Sequence, residues 1–248
     1  MVDVKSKVSQ EEWQARQDLA AFYRTVPYFK WDDLIFTHIS AKVPGTEDEF
    51  LINPYGFLFD EITASNLVKV DLKGKILSDT NNFINPAGFT IHSAIHEARE
   101  DAHCIVHLHS NDGVAVASLK DGLLPLSQTG MLVRSQISYH DYEGVALFDE
   151  EKERLVKDLG QEKLMILRNH GTLAIGKNVA EAFTNIYFLE KACSYQVRAM
   201  SGNLELNYPS DEAIETTKQQ GQGREMAAAL LWPAVKRKME SIDPSFMN

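Results

Sequence analysis

The stretch of sequence that decides the fold is residues 103–109, His103-Cys104-Ile105-Val106-His107-Leu108-His109. Apolar and β-favouring residues dominate it, and charged and turn-forming residues flank it, which predicts a short buried strand. Side chains alternate between the two faces of a strand, so His107 and His109 are expected on the same face. Two buried imidazoles are costly unless their nitrogens have partners, and a divalent metal is a common partner. A pair of hydrogen-bonded structural histidines is the alternative interpretation.

The overall composition predicts a soluble, cytoplasmic protein with a sizeable core. The chain has 248 residues, of which 44% are hydrophobic, and its formal net charge is −10. A negative charge of this size argues against nucleic acid or an anionic membrane as the main partner. No apolar run approaches the roughly 20 residues that span a bilayer, and the N-terminus lacks the apolar core of a signal peptide. Cys104 and Cys193 lie in apolar stretches and are expected to be buried and reduced.

Upstream of the histidine strand, the pattern predicts one helix followed by a meander of strands. Residues 9–12, Ser-Gln-Glu-Glu, have the spacing of a capping box and open an amphipathic helix that should end before Pro27. Residues 34–43 and 49–52 are predicted strands, separated by a Pro-Gly turn. A turn follows at residues 53–56, a short helix is predicted over 61–67, and two short strands over 68–77.

A change of period at Gly88 predicts a helix over residues 88 to about 100, leading into the histidine strand. His92 and His96 lie four residues apart on this helix, a spacing that also suits metal chelation. Without an acidic partner at metalloprotease spacing, histidines that line a pocket or cap an element are the alternative. A further helix is predicted over 111–119. The polar and aromatic segment 140–144 is either a pocket-lining loop or an ordinary surface turn.

The C-terminal half supplies a third histidine. Residues 164–167 predict a buried strand that delivers Arg168-Asn169-His170-Gly171 on a tight turn, where His170 is placed to act as a ligand from a distant part of the chain. A helix over 150–159 precedes this strand, and a second strand over 173–176 and a long amphipathic helix follow it. One more helical segment is expected over 225–239, and residues 244–248 are expected to be frayed. Nothing marks a domain boundary, so we predict one domain with short extensions at 1–11 and 203–248.

Taken together, these motifs resemble the class II aldolase/adducin family, which includes sugar-phosphate aldolases, epimerases and the head domain of adducin. The resemblance covers roughly residues 12 to 202. It rests on Phe36-Thr-His-Ile-Ser40, Ile52-Asn-Pro-Tyr-Gly56, the segment 88–109 and Arg168-Asn-His-Gly171. It implies a three-layer αβα sandwich around a mostly antiparallel sheet, and a homotetramer with active sites near subunit interfaces. It also implies a catalytic zinc ion, or another divalent metal, held by His107, His109 and His170.

The same resemblance exposes departures from the aldolase pattern. Gly88 stands where the aldolases have an acid/base glutamate, and Pro86 and Ala87 stand where they have two phosphate-binding serines. His38 replaces the asparagine of the family's Gly-Asn-x-Ser loop. The tyrosine that a neighbouring subunit contributes falls near Thr129.

The resemblance therefore predicts an intact metal site without the usual proton-transfer and phosphate-binding groups. Tyr55, Gly56 and Gly88 are expected to bind substrate, and His38, His92 and His140 are the candidates for the missing acid/base. The expected function is a zinc-dependent, aldolase-like lyase acting on a small carbonyl or hydroxyl compound through a metal-stabilised enolate. A metal-dependent decarboxylase is a close variant. The alternative of another class is a non-catalytic, adducin-like oligomerisation or binding module that retains a metal site.

Overall fold

The computed structural model describes residues 4–145, 149–202, 204–221 and 225–248. Residues 1–3, which begin the predicted N-terminal extension, lie outside the described residues. The described strands form one seven-stranded sheet in the order β3-β2-β1-β4-β7-β6-β5. All neighbouring strands are antiparallel except β5 and β6, which are parallel. In chain order the strands are β1 (His38–Lys42), β2 (Glu49–Ile52), β3 (Val68–Asp71), β4 (Cys104–Leu108), β5 (Ile137–His140), β6 (Leu164–Leu167) and β7 (Gly171–Gly176).

Helices cover both faces of this sheet, which confirms the three-layer αβα prediction. One face packs against α2 and α5, and the other packs mainly against α1, α3 and α6. The described helices are α1 (Gln10–Phe29), α2 (Pro86–Ala98), α3 (Asn111–Ala117), α4 (Gln128–Arg134), α5 (Asp149–Leu159), α6 (Val179–Met200), α7 (Asp211–Gln220) and α8 (Glu225–Ile242). None of them is long and apolar enough to cross a membrane.

Alternation along β4 distributes its side chains between the two layers, as a strand requires. Cys104 and Val106 pack into the large core shared with α1 and α6. Ile105 packs on the opposite face, in the core shared with α2 and α5. His107 follows two residues later and therefore faces the α2 layer, where it is 1% exposed. Both cysteines are free and buried, in agreement with the prediction.

The first helix is longer than its sequence predicts. Ser9 caps it as expected, since the Ser9 hydroxyl accepts a hydrogen bond from the Glu12 amide. The predicted end before Pro27 is wrong, because the helix continues through Pro27 to Phe29. Proline lacks only one amide hydrogen bond, and here the following turn packs Phe29 against Trp31 and Phe183. Tertiary packing thus outweighs the local signal.

The predicted strand over 34–43 is also shorter than expected, since β1 begins only at His38. Leu34 and Thr37 adopt left-handed backbone conformations, with φ of 51° and 73°, which no strand accommodates. The predicted helix over 61–67 is replaced by a single 3₁₀ turn at Phe59–Glu61. Residues 123–126 form a turn, and α4 and β5 follow where no element was predicted.

The C-terminal end is docked rather than frayed, so that expectation is wrong. Residues 244–247 form a 3₁₀ turn, and the Phe246 side chain is completely buried. The amides of Ala64 and Ser65 donate to the carbonyl oxygens of Phe246 and Asn248, over 2.8 and 2.9 Å. Apolar burial and these backbone hydrogen bonds offset the entropy that a free terminus would retain.

Candidate metal centre

Three histidine side chains meet at the end of the sheet. His107 lies on β4 and His109 lies just beyond its end, and their Nε2 atoms are 3.0 Å apart. The Nε2 atom of His170 lies 3.2 Å from that of His107. One nitrogen of each ring falls within a group whose members all lie within 4.8 Å of one another. The structure therefore brings together the three residues that were predicted as metal ligands.

His170 reaches this group through the geometry of its turn between β6 and β7. Asn169 adopts a left-handed conformation with φ of 57°, which reverses the chain, and asparagine tolerates this better than most residues. Gly171 follows because a Cβ atom at that position would lie 2.2 Å from the carbonyl oxygen of Leu108. The Asn-His-Gly sequence is thus dictated by a tight turn packed against the end of β4.

The outer nitrogens of two of these rings are held by the protein. His107 Nδ1 lies 3.0 Å from the carbonyl oxygen of Thr172, and His109 Nδ1 lies 3.0 Å from a carboxylate oxygen of Asp33. Both partners only accept, so each Nδ1 carries the proton and each neutral ring presents a lone pair at Nε2. Second-shell acceptors of this kind orient ligand histidines in metal sites.

Two Nε2 lone pairs that face each other at 3.0 Å repel unless a cation lies between them. Burial lowers the pKa of His107 well below 6.5, with neighbouring histidines contributing less. Burial, followed by His109 and His140, lowers the pKa of His170 to about 4. Neutral imidazole is the metal-binding form, so the residues present fit a divalent metal. Three such donors with an open fourth position are typical of a catalytic zinc site.

A second group of polar side chains lies behind the cluster, between β1, β4 and α2. The His38 ring packs beside the His107 ring, with centroids 5.2 Å apart. His38 Nδ1 lies 2.8 Å from His92 Nε2, and Ser40 links His92 to His96. Burial, with smaller contributions from His109 and His170, lowers the pKa of His38 to about 3. Of the three acid/base candidates, His38 thus lies beside the cluster and His92 lies one residue behind it.

Gly88 is in contact with this group. A Cβ atom at residue 88 would lie 2.3 Å from His38 Cδ2 and 2.7 Å from His38 Nε2. No L side chain fits there while His38 keeps its position. Pro86 and Ala87 form the first turn of α2, which Asn85 caps by accepting from the Ala87 amide. Gly88 thus lies against Nε2 of His38.

The third candidate, His140, lies at the end of β5 on the other flank of His170. Its Nδ1 is 2.7 Å from a carboxylate oxygen of Asp158, and its buried Nε2 has no hydrogen-bond partner among the described residues. A small pocket is lined by both His140 and His170 together with Tyr142. Segment 140–144 therefore lines a pocket beside His170, as one of its two predicted interpretations has it.

Tyr55 and Gly56 occupy the turn after β2, as predicted. The Tyr55 amide donates to the carbonyl oxygen of Phe83 over 2.9 Å, and the two rings pack edge to face. Gly56 has a φ of 98°, a conformation that favours glycine. No contact between these two residues and the three histidines is recorded within the described residues. Their assignment to substrate binding stays a prediction.

Two carboxyl groups near the cluster were not predicted from the sequence. Asp33 orients His109, yet it lies 76 residues away along the chain. Glu190, on α6, accepts hydrogen bonds from the hydroxyls of Ser110 and Thr172, the residues that adjoin His109 and anchor His107. Burial raises the pKa of Glu190 to about 7. The only sequence signal for Glu190 is a charged residue on the apolar stripe of a long helix.

Comparison with known proteins decides the family. The model of the class II aldolase and adducin N-terminal domain matches residues 17–197. The chain belongs to this family. It is 56% identical to a Caulobacter vibrioides protein named "Putative aldolase class 2 protein", over 100% of this chain and 97% of that one. It is also 48% identical to alpha-adducin of Rattus norvegicus, over 75% of this chain but only 26% of the adducin.

Solved structures of class II aldolase superfamily members have the same fold. An aldolase II superfamily protein from Pseudomonas syringae superposes with a TM-score of 0.93 at 48% identity, covering 99% of each chain. An L-fuculose 1-phosphate aldolase from Glaciozyma antarctica superposes with a TM-score of 0.84 at 25% identity. That alignment covers 100% of this chain and 95% of the aldolase. The family and the fold implied by the sequence motifs are thereby confirmed.

Proposed function

We propose that this chain is a metal-dependent, class II aldolase-like lyase that cleaves or forms a carbon–carbon bond in a small carbonyl compound. The convergence of three histidine nitrogens carries the proposal, with His107, His109 and His170 as the metal ligands. Zinc is the expected ion, although imidazole donors also accept other divalent metals. When bound, such an ion stabilises negative charge that develops on a substrate carbonyl oxygen.

The protein's own residues have to supply the remaining steps. Asp33 and Thr172 hold two of the ligand rings in a fixed orientation. An acid/base group has to move a proton between the substrate hydroxyl and the product carbon, and the residue at position 88 is a glycine. We assign that role to a histidine beside the cluster. Removing a general base typically lowers a rate by about 10² to 10⁴, so a replacement is required for useful turnover.

A non-catalytic, adducin-like module is the second candidate, and the 48% identity to alpha-adducin favours it. A scaffold gains nothing from three histidine ring nitrogens that converge beside a pocket. The site therefore favours the enzyme. A decarboxylase remains a variant of the first proposal, because loss of carbon dioxide from a keto acid also places negative charge on an oxygen that a metal can stabilise.

Metal analysis and an activity panel test the proposal together. Wild type and His107→Ala, offered zinc and then dialysed, are compared by elemental analysis, with His103→Ala as an exposed control at the start of the same segment. We expect about one zinc per chain in wild type and control and none in His107→Ala. The zinc-loaded protein is then assayed for aldehyde and for carbon dioxide release from hydroxy and keto acids. Equal zinc in all three proteins would overturn the metal site, and a fully inactive zinc-loaded protein would favour the binding module.

A further inference from the structure

A line of four buried polar side chains runs from the histidine cluster into the space between β1 and α2. It begins at His38, whose Nδ1 lies 2.8 Å from His92 Nε2. His92 Nδ1 lies 2.5 Å from Ser40 Oγ, which in turn lies 2.7 Å from His96 Nε2. The line ends where His96 Nδ1 meets the carbonyl oxygen of Ala102 at 2.8 Å. None of the four side chains belongs to a residue more than 4% exposed.

The fixed end of this line determines the direction of every hydrogen bond in it. The Ala102 carbonyl only accepts, so His96 Nδ1 donates and its Nε2 is left as an acceptor. The Ser40 hydroxyl has one proton and donates it to His96 Nε2. Its oxygen therefore accepts from His92 Nδ1.

The remaining contact follows in the same way. Because His92 Nδ1 carries a proton, the neutral His92 ring accepts at Nε2, and His38 Nδ1 must donate to it. Any other arrangement of neutral rings leaves one of the four contacts without a proton. All three rings are buried, and burial disfavours the charged form of imidazole, so the rings are taken as neutral. Every hydrogen bond in the line therefore donates in the same direction, from His38 toward the Ala102 carbonyl oxygen. We call this direction the polarity of the line.

The polarity leaves a bare lone pair at His38 Nε2, on the side of the ring that faces residue 88. No hydrogen-bond partner is recorded for this nitrogen within the described residues, and a Cβ atom at Gly88 would lie 2.7 Å from it. The same ring packs beside His107 of the candidate metal centre. A protonated Nε2 could donate to a substrate, whereas an unprotonated Nε2 can only accept.

We propose that His92, Ser40 and His96 are positioning residues that hold His38 as its Nδ1–H tautomer, so that His38 Nε2 accepts a hydrogen bond from a substrate hydroxyl. The use of that acceptor rests on the proposed lyase function. In the cleavage direction the hydroxyl proton passes to His38 Nε2 and the O–H electron pair forms the product carbonyl. The electron pair of the broken carbon–carbon bond moves to the carbon next to the second carbonyl. The proton returned from Nε2 to that carbon completes the balance.

Nitrogen NMR of the zinc-loaded protein tests this polarity directly. Two-bond ¹H–¹⁵N spectra of ¹⁵N-histidine protein separate protonated from unprotonated ring nitrogens, and His38→Asn assigns the His38 signals. We expect a protonated Nδ1 and an unprotonated Nε2 for His38, with the same pattern for His92 and His96. A protonated Nε2 on His38 would overturn the proposal. So would a zinc-dependent shift that makes His38 Nε2 a metal ligand.

Ser40→Ala tests whether the line itself fixes the tautomer. The variant removes the hydroxyl link, so His92 is free to donate through Nε2, and we expect protonated Nε2 to appear on His38. Ser93→Ala is the matched control, since Ser93 is a buried serine on α2 whose hydroxyl faces the Thr90 carbonyl instead. Unchanged His38 signals in a folded Ser40→Ala protein would overturn the positioning role. An inactive substrate panel with the expected spectra would reject the lyase function alone, so the two failures are distinguishable.

Discussion

The His38 ring occupies the space into which a side chain at residue 88 would project. A Cβ atom there would lie 2.3 Å from His38 Cδ2, far closer than van der Waals contact allows. The family resemblance implies that the aldolases have asparagine at the position of His38 and glutamate at the position of Gly88. The contact between His38 and Gly88 predicts that these two departures form one linked exchange, because the His38 ring leaves no room for a side chain at residue 88.

Asp33 is predicted to contribute to metal affinity through His109. Its carboxylate accepts from His109 Nδ1 over 3.0 Å, which fixes the ring with Nε2 pointing at the cluster. Loss of such second-shell partners typically weakens metal binding by about 10- to 100-fold. Asp33→Asn should show this loss in a chelator competition assay, whereas Asp32→Asn, at the exposed neighbouring residue, should match wild type. Equal affinities in all three proteins would remove Asp33 from the site.

Burial of Glu190 predicts a pH-dependent stability difference. Its folded-state pKa is raised to about 7 from 4.5, so the native state favours the protonated form. The unfolded chain ionises first as the pH rises, and native stability therefore falls between about pH 4.5 and pH 7 and stays low above that. Each pKa unit corresponds to roughly 1.4 kcal/mol, so the full effect is about 3 kcal/mol.

Glu190→Gln isolates this effect because glutamine stays neutral at every pH. Relative to wild type, the variant should gain about 2.5 kcal/mol of unfolding free energy at pH 8 compared with pH 5, since part of the full effect is already present at pH 5. Urea titrations at both pH values measure the difference, and Glu97→Gln serves as the exposed control on α2. The buried histidines lower stability in acid in both proteins, and this shared contribution cancels. A constant difference between pH 5 and pH 8 would contradict an elevated pKa.

The strand, helix and ligand patterns differ in how far sequence alone determines them. Alternation along β4 is local, so the shared face of His107 and His109 was predicted correctly. The helix that carries His92 and His96 was also predicted, but the link between them through Ser40 was not. The role of His170 depended on the family resemblance, because nothing local relates residue 170 to residue 107. The partnership of Asp33 with His109 was not predictable. It depends on a loop in which Leu34 and Thr37 adopt left-handed conformations, which no local sequence pattern predicts.

The family resemblance also predicts that the chain assembles into a homotetramer. The resemblance implies active sites near subunit interfaces, so a neighbouring subunit would complete the pocket beside the histidine cluster. Light scattering at micromolar protein concentration should give about four times the 27.9 kDa chain mass. A mass of one chain would contradict the prediction and would leave the pocket to be formed by a single subunit.

The final prediction is that the wild-type protein is a poor aldolase for L-fuculose and ribulose phosphates. Pro86 and Ala87 offer no side-chain hydroxyls to the phosphate, so charge-assisted hydrogen bonds that would position it are absent. Gly88 offers no carboxylate, and loss of a general base typically costs about 10² to 10⁴ in rate.

Gly88→Glu alone should not restore activity, because its Cβ would collide with His38. Gly88→Glu combined with His38→Ala removes that collision, because no side-chain atom beyond Cβ remains at residue 38, so only the pair should hold the carboxylate in place. Even the pair should show a high KM, since residues 86 and 87 are unchanged. Steady-state assays of the wild type, the two single variants and the pair, with the melting temperature of each as a folding control, decide the matter. Turnover of sugar phosphates by wild type at ordinary aldolase rates, or a gain from Gly88→Glu alone, would contradict the linked exchange of residues 38 and 88.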